Sequence, residues 1–143
     1  MSAAKLYTPE LLALAVELAQ YPHSELHTFQ GEARSKTCGS TLAMALALDD
    51  DDRIADIGMR VRACAVGQAA AAIFARHCEG RREADLETAL SSMASWLDGS
   101  GPLPDWPDLA MIEPAREYPG RHGAILLPWR AAVSALSSTP ATS

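Results

Sequence analysis

What this 143-residue sequence lacks narrows the reading before any motif is weighed. No basic cluster exceeds the pair Arg81-Arg82, and 18 acidic residues against 12 basic ones leave a net charge of −6. The electrostatic footprint of a nucleic-acid binder is therefore missing. No apolar run exceeds seven residues, and the alanine-rich stretch 69–75 is too short and too weakly hydrophobic to span a bilayer, so no membrane partner is expected. The N-terminus has no basic stretch leading into an apolar one, so no signal peptide is expected. Cysteines number three, an odd count that does not make a disulfide framework and points to a reducing, cytoplasmic setting. There is no glycine-rich phosphate loop, no Ser/His/Asp pattern and no internal repeat. The run of four aspartates at 49–52 lacks the alternating ligands, the central Gly and the closing Glu of a calcium loop, and reads as a solvated turn.

What is there fits one α+β domain over residues 1–136, with a polar, disordered tail at 137–143. Hydrophobic residues make up 48%, ordinary for a folded globular chain. Thr8-Pro9-Glu10 starts a helix that runs to about Gln20, with Leu11, Leu14 and Leu18 at helical spacing. A short strand is expected around residues 26–30. Leu42, Met44, Leu46 and Leu48 then alternate with alanines, a period of two, and Ile57, Met59 and Val61 form the matching face beyond the aspartate turn. Ile54 is out of phase with that second face, which implies a bulge or an early turn residue. Cys64 opens a helix that reaches about Cys78 and stops at Gly80, and a second runs over about 83–97. A short helix is expected near 108–112, and a turn at Tyr118-Pro119-Gly120. A last helix should begin near Ala124 or Ile125, because Pro128 is tolerated in a first turn.

The chemistry-bearing residues gather around the hairpin. Reflecting position 38 through the aspartate turn lands at about 63, so Cys38 and Cys64 meet at its open end. Such a thiol pair suits a metal or cluster site, or sulfur handling. Cys64 also stands at a helix N-terminus, where the macrodipole and free N–H groups favour the anionic, nucleophilic form. Cys38 precedes Gly39, which lets a ligand approach the backbone. Cys78 is about 14 residues and ~20 Å further along the same helix and reads as core filler. His77 and Cys78 point about 100° apart and do not share a metal. His23 and His27 read as loop residues.

Taken together, these pieces resemble the U-type iron–sulfur cluster assembly scaffold family: IscU, SufU and the NifU N-terminal domain. Thr37-Cys38-Gly39-Ser40 is similar to the family's Cys-Gly-Asp motif, and Cys64-Ala65-Val66-Gly67-Gln68-Ala69-Ala70-Ala71 to its second cysteine, which opens an Ala/Ser-rich helix. Tyr118-Pro119-Gly120-Arg121 with Leu127-Pro128-Trp129-Arg130-Ala131 resembles the SufU branch around its third cysteine, and residues 93–98 with the following loop fit the SufU-type insertion. The resemblance covers roughly residues 8–136. It departs at two ligand positions: the third cysteine falls on Ala124 and the aspartate on Ser40.

The resemblance implies a small antiparallel sheet of about three strands against several helices. It also implies a scaffold, rather than an enzyme, that receives sulfur or iron at Cys38 and Cys64 and passes on an iron–sulfur cluster. Cys38, Cys64, Ser40 and His122 are then the metal-ligand candidates; His122 enters because it lies two residues from the lost cysteine. The implied partners are a cysteine desulfurase and cluster-acceptor proteins, with a homodimer also open. Two alternatives remain: a zinc-dependent sulfur acceptor acting as a sulfurtransferase, and a degenerate, metal-free binding module.

Overall fold

Thr8 caps the first helix, α1 (Pro9–Glu17): its hydroxyl accepts the Leu11 amide at 3.1 Å, and Pro9 fills the first helical position, where a missing N–H costs nothing. The computed structural model describes residues 8–36 and 39–137. Leu11 and Leu14 bury one stripe of α1, and a 3₁₀ turn at Leu18–Gln20 ends it.

A three-stranded antiparallel sheet follows in the order β1 (Phe29–Arg34), β2 (Thr41–Leu48), β3 (Ile54–Arg62). The β2–β3 hairpin is the one its alternation predicts: Leu42 faces Val61, Met44 faces Met59 and Leu46 faces Ile57, all on one side. Phe29, Gly31 and Ala33 of β1 continue that face. The ladder shifts after Ala47, where Leu48 pairs with Ile54 and leaves Ala55 as the extra residue; this is the bulge implied by the phase of Ile54. Asp49 ties the turn, its Oδ1 accepting the amides of Asp51 and Arg53 at 2.9 and 3.0 Å. The first strand lies later than expected. Residues 24–28 turn instead, because the Gln30 amide nitrogen donates to the carbonyls of Ser24 and His27, and Leu26 is 94% exposed.

Helix α2 (Ala65–His77) has Cys64 as N-cap and Cys78 as C-cap, and α3 (Glu83–Asp98) ends at a left-handed Gly99. The short helix expected near 108–112 is a longer 3₁₀ segment, Leu109–Glu117. The last helix, α4 (Pro119–Ser137), differs most from expectation. Tyr118-Pro119-Gly120 is its start rather than a separate turn, since Pro119 is preset for a first helical position and the Arg121 amide reaches the Tyr118 carbonyl at 2.8 Å. Pro128 consequently sits in the interior, where it withholds the N–H that would bond the Ala124 carbonyl. Ser137 closes α4, and the remainder of the expected tail, 138–143, lies outside the described residues.

Helix α4 is buried nearly all round, as its run of Ala124, Ile125, Leu127, Trp129, Ala131, Ala132 and Ala135 requires. It lies between the apolar face of the sheet and helices α2 and α3, while α1 packs on α2. Phe74 stacks on Trp106 at 5.2 Å, and Trp129 meets both edge-on at 5.5 and 5.3 Å. An ionic chain holds the outer side: Arg76 grips Glu17 at 2.7 and 2.8 Å and reaches Asp108 at 3.3 Å, and His77 Nε2 meets Asp108 at 2.7 Å. The α+β class and the three-stranded sheet implied by the sequence are the ones observed. Among the described residues no helix is long and apolar enough to cross a membrane.

Candidate functional site

Three elements converge at one end of the sheet. β1 ends at Arg34, β2 begins at Thr41, and Thr41 faces Arg62, so the β1–β2 loop and the β3–α2 junction share that end. Buried Ser35 closes the loop: its amide donates to the Ser40 carbonyl at 2.8 Å, and its carbonyl accepts the Gly39 amide at 2.9 Å. Ser35 also rests on α4 at Gly123, where any Cβ would collide with its side chain. One residue on, Ala124 is fully buried against α2. A Cβ built on Gly67 would stand 3.1 Å from that of Ala124 and 2.8 Å from that of Ala63. The two glycines therefore let α4 approach both the loop and the first turn of α2. Cys64 is the half-buried N-cap of that turn, with extended backbone (φ −66, ψ 169) and no side-chain capping bond.

The residues singled out in the sequence divide as follows. Cys64 lies in the convergence, and Cys38 lies outside the described residues. Ser40 is buried at the loop's exit. Ala124, where the resemblance puts a third cysteine, is beside the first turn of α2. His122 donates from Nε2 to the Arg116 carbonyl at 2.8 Å, and Arg116 in turn donates to the Trp96 carbonyl at 3.0 Å. Two residues along a helix is about 200° of rotation, so His122 is turned toward the 3₁₀ segment while Ala124 faces α2. Cys78 sits at the far end of α2, buried, its Sγ donating to the Ala75 carbonyl, and burial pushes its thiol up to about 12. Sequence reasoning missed Ser35, Gly67 and Gly123. Their roles are close approach between elements distant in the chain, and a small residue in a small-residue helix carries no local signal of that.

Among the described residues, no group of three or more His, Cys, Asp and Glu side chains could hold a metal ion. A closed tetrahedral zinc site takes four ligands, and two thiols with Ala124 in the third position do not fit one.

No protein-family model and no curated protein sequence matches the chain. Solved structures do. The N-terminal domain of a nitrogen-fixing NifU-like protein from Brucella abortus superposes at a TM-score of 0.83 with 29% identity, over 92% of each chain. The chain has the U-type scaffold fold. A protein assigned as the iron–sulfur cluster assembly scaffold of the SUF system in Fervidobacterium islandicum AW-1 shares that fold at a TM-score of 0.81, with 18% identity over 94% of this chain and 99% of that one. The resemblance to the U-type family is thus carried by architecture as well as by motif order.

Proposed function

We propose that this protein acts in iron–sulfur cluster assembly as a scaffold-like acceptor, with Cys38 and Cys64 receiving sulfur, iron or both, the cluster being cargo. The observation that carries the reading is the convergence of Cys64, the β1–β2 loop and position 124 at one end of a U-type fold. The sulfur-receiving step is thiol exchange: the Cys64 thiolate attacks the outer sulfur of a donor persulfide, the S–S bond breaks, and the donor leaves as thiolate while Cys64 carries the persulfide. A cysteine desulfurase is the donor and apo-proteins take the cargo. Ser40 stands as a further ligand candidate, whereas the His122 Nε2 is already held by the Arg116 carbonyl, and a cytoplasmic setting suits free thiols. The C-terminal motifs favour the SufU branch.

The donor count speaks against a resident zinc ion and hence against the zinc-dependent sulfurtransferase. It favours one second reading, a metal-free binding module that keeps the fold. Anaerobic incubation of the purified protein with desulfurase, L-cysteine and ferrous iron separates the readings. A visible charge-transfer band lost in Cys38→Ser and Cys64→Ser supports the scaffold. Stoichiometric zinc in the purified protein supports the sulfurtransferase, and neither metal nor persulfide supports the binding module.

A further inference from the structure

The outer face of the sheet holds arginines that form no ion pair among the described residues. Residues 22–28 cross this face from β3 to β1. The Tyr21 carbonyl accepts the Met59 amide, Pro22 and His23 sit over Gly58, His23 meets Gln30 at 3.1 Å, and His27 meets Asp56 at 3.3 Å. The crossing covers the middle of the face and stops short of the end that carries Cys64. There Arg34, Thr41 and Arg62 stand in line across the three strands, the outer two about 10 Å apart at two strand spacings. Arg60 follows two residues back along β3, on the same face.

All three arginines are exposed. Among the described residues none of their guanidinium groups is in an ion pair. Glu32 is the nearby carboxylate, but the register sets Ala43 between it and Arg60, and the two form no bridge. A chain of net charge −6 thus gathers three unbridged arginines, against the carboxylate of Glu32 on the same face, beside its reactive thiol. Like charges left together do not help folding. They do raise the rate at which an oppositely charged surface arrives in register.

We propose that the strip formed by Arg34, Arg60 and Arg62 docks an acidic segment of the protein that delivers sulfur to Cys64. This rests on the sulfur-receiving reading above. Guanidinium forks match carboxylates bidentately, and Arg62 is two residues from Cys64, so a donor held here has its reactive sulfur at the thiol end.

The test measures transfer of radiolabelled sulfur from the cysteine desulfurase of the source organism to Cys64 at several salt concentrations. Arg60→Glu/Arg62→Glu should lower kcat/KM about tenfold or more at low salt with kcat unchanged, and should flatten the salt dependence. Arg53→Glu, a charge reversal at the opposite end of the hairpin, should transfer like the parent, and all three proteins should take sulfur equally from a small-molecule persulfide. Equal kcat/KM in the double variant and the parent overturns the docking strip and leaves the sulfur-receiving reading standing. No desulfurase-dependent label on Cys64 in the parent overturns both. Retention of the parent, but not of the double variant, by a single-stranded oligonucleotide, with sulfur transfer unaffected, also overturns it and reassigns the strip to nucleic acid.

Discussion

Replacing Ala124 by Cys probes the helix crossing where the U-type resemblance expects a third thiol. The parent side chain is fully exposed to packing and not at all to solvent, and its Cβ stands 3.1 Å from where a Cβ on Gly67 would be. Extra volume in a filled core costs about 1–3 kcal/mol, and a single sulfur belongs at the low end of that range. About 1 kcal/mol in a chain of this size lowers Tm by roughly 3–4 °C. Opposing this is a new thiolate ligand. A four-ligand structural zinc site is worth about 10–16 kcal/mol, or roughly 3 kcal/mol per ligand, which is about 100-fold in affinity.

The metal-free variant should therefore melt below the parent, and the zinc-saturated variant above it. Ser40→Asp added to the same chain should tighten binding again, and His122→Ala should leave the parent's affinity unchanged, because its Nε2 is already spent on the Arg116 carbonyl. Thermal melts with and without zinc, and competition against a chromophoric chelator, measure both effects. A variant that melts lower yet binds zinc no better than the parent would refute the reasoning: the new sulfur would be packed against Gly67 and out of reach of Cys64.

Three further outcomes follow from individual contacts. Burial keeps the Cys78 thiol protonated, pushing it up to about 12, so at pH 8 alkylation followed by peptide mass should label Cys64 far ahead of Cys78; equal rates would contradict the burial. The Arg76 hydrogen bonds hold Glu17, and the His77 hydrogen bond holds Asp108, below the usual carboxylate range, so their stabilisation is present above about pH 4 and is lost as pH falls through the lowered values. Arg76→Met should flatten that acid limb, by about 1 kcal/mol or less because the guanidinium is partly exposed, as read from urea midpoints against pH. Trp129→Phe should cost less stability than Trp106→Phe, because the buried Trp129 Nε1 has no partner among the described residues whereas Trp106 Nε1 donates to the Ile73 carbonyl at 3.2 Å.

The hairpin, its bulge and helices α1 to α3 were legible because each is written in local signals: a Thr-Pro start, a period of two, a phase slip at Ile54, a glycine stop at Gly80. The reach of α4 was not. Pro128 reads locally as a boundary, and only the packing of α4 between the sheet and two helices compensates for the hydrogen bond that Pro128 removes. The first strand was misplaced for a similar reason. Leu26 and Phe29 look alike in sequence, and the difference lies in Gln30, whose amide folds 24–28 into a turn. Of the site, Cys64 as a helix cap was readable, as was the far placement of Cys78. The period of two also sets Arg60 and Arg62 opposite Ile57, Met59 and Val61, but how much of that face stays bare depends on the path of residues 22–28, which has no local signal.

Architecture and chemistry separate at this site, and two substitutions divide them. Gly67 and Gly123 are required by the approach of α4 to α2 and to Ser35, whether or not any metal or sulfur is handled nearby. Their presence therefore speaks for the fold and is silent about the cargo. Gly67→Ala gains about 0.5–1 kcal/mol of helix propensity but pushes a methyl against Ala63 and Ala124, which costs about 1–3 kcal/mol. It should lower the urea midpoint modestly and disturb sulfur loading only in step with lost folding. Cys64→Ser changes little volume at a half-buried position and breaks no capping bond, so stability should stay within about 0.5 kcal/mol while sulfur loading at this position disappears. A Gly67→Ala chain that folds fully yet no longer takes sulfur would mean the first turn of α2 contributes to the chemistry itself. A Cys64→Ser chain that unfolds would mean the thiol is a packing residue after all.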